Sequence, residues 1–186
     1  MRLFIKNMVC NRCKMVVKSE LEQAGVTPVT VELGEAEIHE ALSREALLLL
    51  DERLKSVGFE LLDDRRSRIT ERVKNLILEL IYSKNNELKT NLSDYIAINI
   101  GNDYNYISSL FSQQESTTIE QYYILQKIER VKELLVYDEF NLNEIAAMLN
   151  YSSPSHLTKQ FKKVTGLTPS FFKELKPLKR RPLDNL

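Results

Sequence analysis

Hydrophobic positions change period several times along the chain, and those changes mark out its elements. In residues 2–8, RLFIKNM, alternation predicts a short strand with Leu3 and Ile5 on one side and Phe4 and Met8 on the other. The period then lengthens. Cys13, Val17, Leu21 and Ala24 recur at helical spacing on one face, and Gly25 ends that helix. Val29, Val31 and Leu33 alternate, Gly34 and Glu35 turn the chain, and Ala36 and Ile38 alternate again, which predicts a β-hairpin. Ser43 is placed to cap a second helix running to Val57, with Ala46, Leu47, Leu50 and Leu54 inward, and Gly58 stops it before the strand FELL. The order β-α-β-β-α-β predicts a ferredoxin-like split βαβ unit within about 62 residues. That architecture hosts many unrelated functions and by itself names none.

Beyond Asp64 the pattern is helical. Residues 63–68, DDRRSR, form a charged junction, and Ile69, Val73, Leu76, Ile77 and Leu80 then lie on one helix that the polar SKNNELKTN ends. The boundary is expected near Asp64, giving an α+β domain over 1–64 and an all-α domain over 65–186. Leu92, Ile96 and Ile100, a break at Gly101 to Asp103, and Ile107, Leu110 and Phe111 outline a first helix-turn-helix. Thr118 to Tyr137 reads as one amphipathic helix with Tyr122, Leu125, Ile128, Val131, Leu134 and Leu135 inward. At about 1.5 Å per residue it spans roughly 30 Å, close to one turn of DNA at about 34 Å. Residues 141–170 outline a second helix-turn-helix, with Ile145, Ala146 and Leu149 facing Leu157, Phe161 and Val164 across the break at Asn150 to Ser153. Stepping about 100° per residue from Leu157 puts Ser155, Lys159 and Lys162 on the outer face, flanked by His156 and Lys163. Lysine donates to guanine or phosphate, and serine or threonine to either, so this face suits a major groove. A small helical hairpin with a solvated basic face would show the same periodicity.

The sequences KIERVKELLVYDEFNLNEIAAMLNY, SHLTKQFKKVTGLTP and SFFKEL resemble the paired helix-turn-helix domain of AraC-type transcription regulators over about residues 92–175. The resemblance implies double-stranded promoter DNA as partner, with Pro154, Ser155, Thr158 and Lys159 toward the bases, and Asn105, Ser108 and Ser109 in the corresponding places of the first unit. Lys163 is expected to add a DNA contact beside them. The first unit departs from the family, which has basic residues just after the phenylalanine where this chain continues Ser112, Gln113, Gln114, Glu115. The tail residues Lys176, Lys179, Arg180 and Arg181 offer further phosphate contacts or form a solvated end.

Charge sharpens the division. The 186 residues carry 26 basic and 26 acidic side chains, yet residues 1–64 hold 8 Lys+Arg against 12 Asp+Glu, leaving 18 against 14 beyond. No apolar run approaches the roughly 18 residues that span a bilayer, and the first residues lack a signal-peptide pattern, so a cytoplasmic protein is expected. Catalytic Ser/His/Asp sets, phosphate-binding glycine loops and paired-carboxylate motifs are absent from the sequence, and no enzyme activity is expected.

Both cysteines fall in one CxxC, Cys10 and Cys13, at the start of the first helix. There the helix dipole, Arg12 and Lys14 favour a thiolate. Two soft sulfurs suit Cu(I), whereas structural Zn(II) wants four ligands and would need a partner to complete them. His39, in the hairpin, reads as a surface residue. The stretch Met8-Val9-Cys10-Asn11-Arg12-Cys13, followed by a helix and by GVTPVTVELGEAEIH, resembles heavy-metal-associated domains of the copper-chaperone type over about residues 1–62. That resemblance implies a metal on Cys10 and Cys13 with Met8 packed beneath the loop. Asn7 stands where that family usually has glycine. The expected protein is a DNA-binding regulator responsive to a soft metal. The alternative keeps the DNA-binding half and gives the first domain to protein contact, dimerisation or another ligand.

Overall fold

The computed structural model describes residues 1–62, 65–83, 86, 88, 90–137 and 139–175. Four strands and nine helices follow in order among them: β1 (Arg2–Lys6), α1 (Asn11–Gln23), β2 (Pro28–Glu32), β3 (Glu35–Ile38), α2 (Arg44–Ser56), β4 (Glu60–Leu61), α3 (Arg65–Tyr82), α4 (Leu92–Ile100), α5 (Tyr104–Glu115), α6 (Ile119–Tyr137), α7 (Leu142–Met148), α8 (Pro154–Thr165) and α9 (Pro169–Glu174). The chain divides into two compact units, and the division falls inside α3, between Asn75 and Leu76. Asp63 and Asp64, where the sequence puts the boundary, lie outside the described residues. No described helix is long and apolar enough to cross a membrane.

In the first unit the strands form one antiparallel sheet in the order β2-β3-β1-β4, with Leu3 opposite Ala36 and Ile5 opposite Leu61. Strand alternation sends Leu3, Ile5, Ala36 and Ile38 to one face, where they pack with Val17 and Leu21 of α1 and Leu50 and Leu54 of α2. Ser43 caps α2, its hydroxyl accepting from the Ala46 N–H at 3.2 Å. Phe4, which alternation points to the other face, lies beneath the Arg68 guanidinium of α3 at 4.5 Å. Ile69 and Val73 of that helix are buried.

Several local expectations change. Met8 joins Leu3 and Ile5 in the core instead of siding with Phe4, because Asn7 adopts a left-handed backbone (φ 71°) that breaks the alternation. The hairpin turns at Leu33 and Gly34, with Glu35 already paired in β3. Ala24 caps α1 and is exposed. Paired strand at β4 covers only Glu60 and Leu61, while Phe59 anchors the turn in the core. α3 begins at Arg65, inside the charged junction.

The second unit is built around α6. Its expected single apolar face is too simple a description: Gln126, Lys127, Glu129 and Lys132 are buried with Tyr122, Ile128, Val131 and Leu134, while Leu125 is only half-buried. The helix meets α5, α8 and α9, so more than one side is covered. Lys132 and Glu129 compensate each other as an ion pair one turn apart, at 2.5 Å. Edge-on pairs of rings, Phe111 with Tyr122 and Phe161 with Phe172, fill the flanking cores.

Candidate nucleic-acid interface and thiol pair

Local chemistry shapes the second helix-turn-helix. Asn141 and Glu144 close a capping box at α7, each side chain satisfying the other's backbone N–H. Asn150 (φ 51°) turns the chain left-handed, and the Asn150 and Tyr151 N–H groups return to the Ala147 and Ala146 carbonyls. Ser153 then caps α8 by accepting from His156 N–H, Pro154 supplies a preset first residue, and Gly166 (φ 78°) ends the helix. With Leu157 and Phe161 fully buried, the opposite side of α8 is fixed. Ser155, His156, Lys159, Lys162 and Lys163 are exposed on it, and Pro154 and Thr158 are half-buried at its edge. Lys176, Lys179, Arg180 and Arg181 lie outside the described residues.

The turn carries a buttress that periodicity did not reveal. Tyr151 is buried, His156 packs edge-on against it at 5.5 Å, and His156 Nδ1 lies 3.0 Å from the Ser152 hydroxyl. Beneath the turn, the Lys127 ammonium sits 3.8 Å from the centre of the Tyr151 ring and 5.4 Å from that of Tyr123. Burial lowers the Lys127 pKa to about 8. The Tyr123 hydroxyl bonds the buried Asn86 side chain, which in turn donates to the Leu149 carbonyl at 2.8 Å. The one sequence sign of this arrangement was a lysine set directly beside the inward Ile128.

In the first helix-turn-helix, Asp103 caps α5 by accepting from the Asn105 and Tyr106 N–H groups. Asn105 and Ser109 are exposed and Ser108 is half-buried. The Tyr104 hydroxyl donates to the Glu120 carboxylate. Partial burial and that carboxylate push the Tyr104 pKa up, while the phenol's hydrogen bond holds Glu120 below the usual range. From Thr90 to Gln126 the sequence holds Asp94, Asp103, Glu115 and Glu120 and not one lysine or arginine. The two outer faces therefore differ in kind: α8 offers three lysines, α5 none.

The thiols stand at the start of α1, Cys10 exposed and Cys13 half-buried, with their sulfurs 3.5 Å apart. Partial burial pushes Cys10 up, but hydrogen bonds from the Cys13 and Arg12 N–H groups and the Cys13 thiol, with the Arg12 charge, outweigh it and bring its pKa below the ordinary value. Burial, and donation to Cys10, keep Cys13 above it. The two thiols are thus shifted in opposite directions. Two sulfurs at this distance, each about 2.3 Å from one ion, subtend about 100°, near the tetrahedral angle; a linear two-coordinate ion requires one thiol to rotate outward. Among the described residues no third histidine, cysteine or carboxylate completes a cluster with them. His39 is exposed, and Met8 is fully buried. Asn7, standing at the position of a usual glycine, holds the left-handed conformation that glycine tolerates best.

The family described as a helix-turn-helix domain matches residues 96–174. Two curated proteins of Bacillus subtilis (strain 168) are similar to the chain. The uncharacterized HTH-type transcriptional regulator YtdP is 25% identical over 115 residues, 61% of this chain and 15% of its own length. The uncharacterized transcriptional regulatory protein YesN is 28% identical over 109 residues, 58% of this chain and 28% of its own. The matched stretch thus spans less than a third of either relative. Among solved structures, the C-terminal domain of AraT, a response regulator from Geobacillus stearothermophilus, covers 64% of this chain and 96% of that one, with a TM-score of 0.52 at 20% identity. A transcriptional regulator from Chromobacterium violaceum, of the proteins containing an AraC-type DNA-binding domain, covers 59% and 96% with a TM-score of 0.50 at 19% identity. At these identities the likeness is one of fold.

Proposed function

We propose that this chain, whose residues 96–174 match a helix-turn-helix domain, is an AraC-type DNA-binding transcription regulator that holds promoter DNA chiefly through α8 and senses a soft metal ion at Cys10 and Cys13. The exposed face of α8 carries the reading. Leu157 and Phe161 lock one side of the helix into the core, so Ser155, Lys159, Lys162 and Lys163 project together from the other. Ser155 and Lys159, with Pro154 and Thr158 at the edge, face bases, while Lys162 and Lys163 serve phosphates. At about 1.5 Å per residue the 19 residues of α6 extend about 28 Å, compatible with two units one groove apart. The first helix-turn-helix would bring Asn105, Ser108 and Ser109 to its groove without a cation of its own to anchor them. The family is one of DNA binders, not of enzymes.

The metal half of the reading is supported by a four-stranded antiparallel sheet built in the element order β-α-β-β-α-β, and by the paired sulfurs. When bound, Cu(I) or Zn(II) would be held by Cys10 and Cys13, and a partner or solvent would supply what further ligands the ion needs. Metal binding requires both thiols to lose their protons, which costs less at Cys10, whose pKa lies below its ordinary value. The ion regulates only as far as it binds the DNA-competent and incompetent states unequally.

The test follows one duplex, selected from a random pool, across a salt series. Replacing Lys162 and Lys163 by alanine should reduce the slope of log affinity against log salt by about 1.8, near 0.9 per lost phosphate contact. An unchanged slope would remove α8 from the interface. Cu(I) and Zn(II) titrations of the reduced chain and of its Cys10→Ser/Cys13→Ser form, in the presence of that duplex, test the sensor. Binding that survives the serine substitutions, or that leaves DNA affinity untouched, sinks it.

A further inference from the structure

Glu71 is a buried carboxylate, 5% exposed, that plays no part in the reading above. It lies on α3, and its Oε1 accepts the Asn7 backbone N–H at 2.9 Å across 64 residues of sequence. Its other oxygen stands 3.5 Å from the Lys74 ammonium. Burying a carboxylate is costly unless it is paired and hydrogen-bonded, so its position marks a contact that the fold holds firmly. Arg68, Glu71 and Asn75 follow one another along one face of α3. Arg68 lies over Phe4, Glu71 takes the Asn7 N–H, and Asn75 presses on the hairpin turn so closely that a Cβ on Gly34 would come within 2.3 Å of its amide nitrogen.

The residue Glu71 holds is the hinge of the thiol loop. Asn7 is left-handed, its side chain donates to the Gly58 carbonyl at 3.0 Å, and the next residue, Met8, is fully buried. Two residues further on, Cys10 begins α1. The loop is therefore anchored at its upstream end by one backbone hydrogen bond, one side-chain bond and one core methionine. Of the three anchors, Glu71 alone sits on an element outside the β-α-β-β-α-β unit, on the helix that leads out of it.

We propose that Glu71 is a positioning residue for the thiol pair: its carboxylate fixes Asn7, and through Asn7 the geometry of Cys10 and Cys13. The role deepens the metal reading and rests on it for its biological use, but its physical core is metal-free. Because coupling is reciprocal, an ion that fixes the two sulfurs in one geometry also loads the Asn7–Glu71 bond and so changes the protection of α3. Residues bonded directly to metal ligands commonly change metal affinity by about 10- to 100-fold when removed, and Glu71, which acts on the loop through Asn7, is expected to have an effect no larger than the lower end of that range.

The experiment compares the reduced full chain with Glu71→Ala and Glu71→Gln. Glutamine retains an acceptor oxygen and alanine does not. Without metal, Glu71→Ala should speed exchange of the Asn7 amide by about tenfold or more. It should also slow alkylation of Cys10 at pH 7 about threefold, as the loop drifts from the helix N–H groups that favour its thiolate. Glu71→Gln should restore most of both. Exchange at Val17 and Leu21, measured in the same samples, should stay unchanged, which separates release of the loop from loss of the fold. Zn(II) affinity by chelator competition should fall by up to about tenfold in Glu71→Ala and recover in Glu71→Gln. Unchanged Asn7 exchange and Cys10 alkylation in a folded Glu71→Ala overturn the proposal, and so does a Glu71→Gln form as impaired as alanine. Failure of the unsubstituted chain to take up Zn(II) or Cu(I) would defeat the metal reading, while exchange and alkylation would still decide the role of Glu71.

Discussion

Replacing Lys127 by methionine removes a buried ammonium while keeping an unbranched chain of similar reach. Lys127 is 6% exposed, it stacks on Tyr151 and Tyr123, and no carboxylate pairs with it among the described residues. Burial takes its pKa from 10.5 to about 8, which corresponds to about 3 kcal/mol against the charged form. The two ring faces return on the order of 1–2 kcal/mol of that as cation–π attraction. At pH 7 the substitution should therefore stabilise the second unit by about 1–2 kcal/mol. The pH dependence gives an independent check of sign. The folded pKa lies below the unfolded one, so between pH 8 and 10.5 the unfolded chain binds a proton that the folded chain does not, and stability rises with pH. Tyr151 opposes this from about pH 10 upward: burial raises its pKa, so only the unfolded phenol ionises there. The rise should thus be visible from about pH 8 to 10. Urea denaturation at half-unit steps, in the Cys10→Ser/Cys13→Ser background so that thiol titration does not contribute, measures it. A stability in that background, with Lys127 intact, that is flat or falling from pH 8 to 10 would refute the reasoning. So would a Lys127→Met chain less stable than its parent at pH 7.

Other consequences are simpler to read. Asn7→Val should cost about 1–2 kcal/mol because a β-branched residue resists the left-handed conformation, whereas Asn7→Gly should stay within about 1 kcal/mol, losing one hydrogen bond and relieving strain; denaturant midpoints distinguish them. Asn141→Ala removes the acceptor for two α7 N–H groups and should destabilise the second unit by about 1 kcal/mol in the same assay. Gln113→Lys places a cation on the exposed side of α5, and if that helix reaches DNA the salt slope should steepen by about 0.9; an unchanged slope would mean that α5 stays clear of phosphate.

Much of the secondary structure was legible because its causes are local. A helix repeats every 3.6 residues and a strand every 2, so the inward faces of α5, α7 and α8 and the cap Ser43 could be read from neighbours a few positions away. The outward set on α8 followed from the inward one, since fixing Leu157 fixes Ser155 and Lys159 by rotation alone. The contrast in charge between α5 and α8 was likewise written in the residues.

The remaining features depended on distant segments. Met8 could not be assigned to the core without knowing that Asn7 turns left-handed, and that turn is held by Gly58 and Glu71, far along the chain. α6 carries charged residues on sides that a single helix in water would expose, and their burial follows from the elements packed around it. Lys127 became a buttress for the reading turn only when Tyr151 closed over it. The sequence by itself determined which residues share a face of each element, because dihedral geometry enforces that spacing within a few residues. Tertiary structure alone decided which face lies against what, and so which polar groups are desolvated, paired or left to act, because burial is a property of the neighbours that folding brings together.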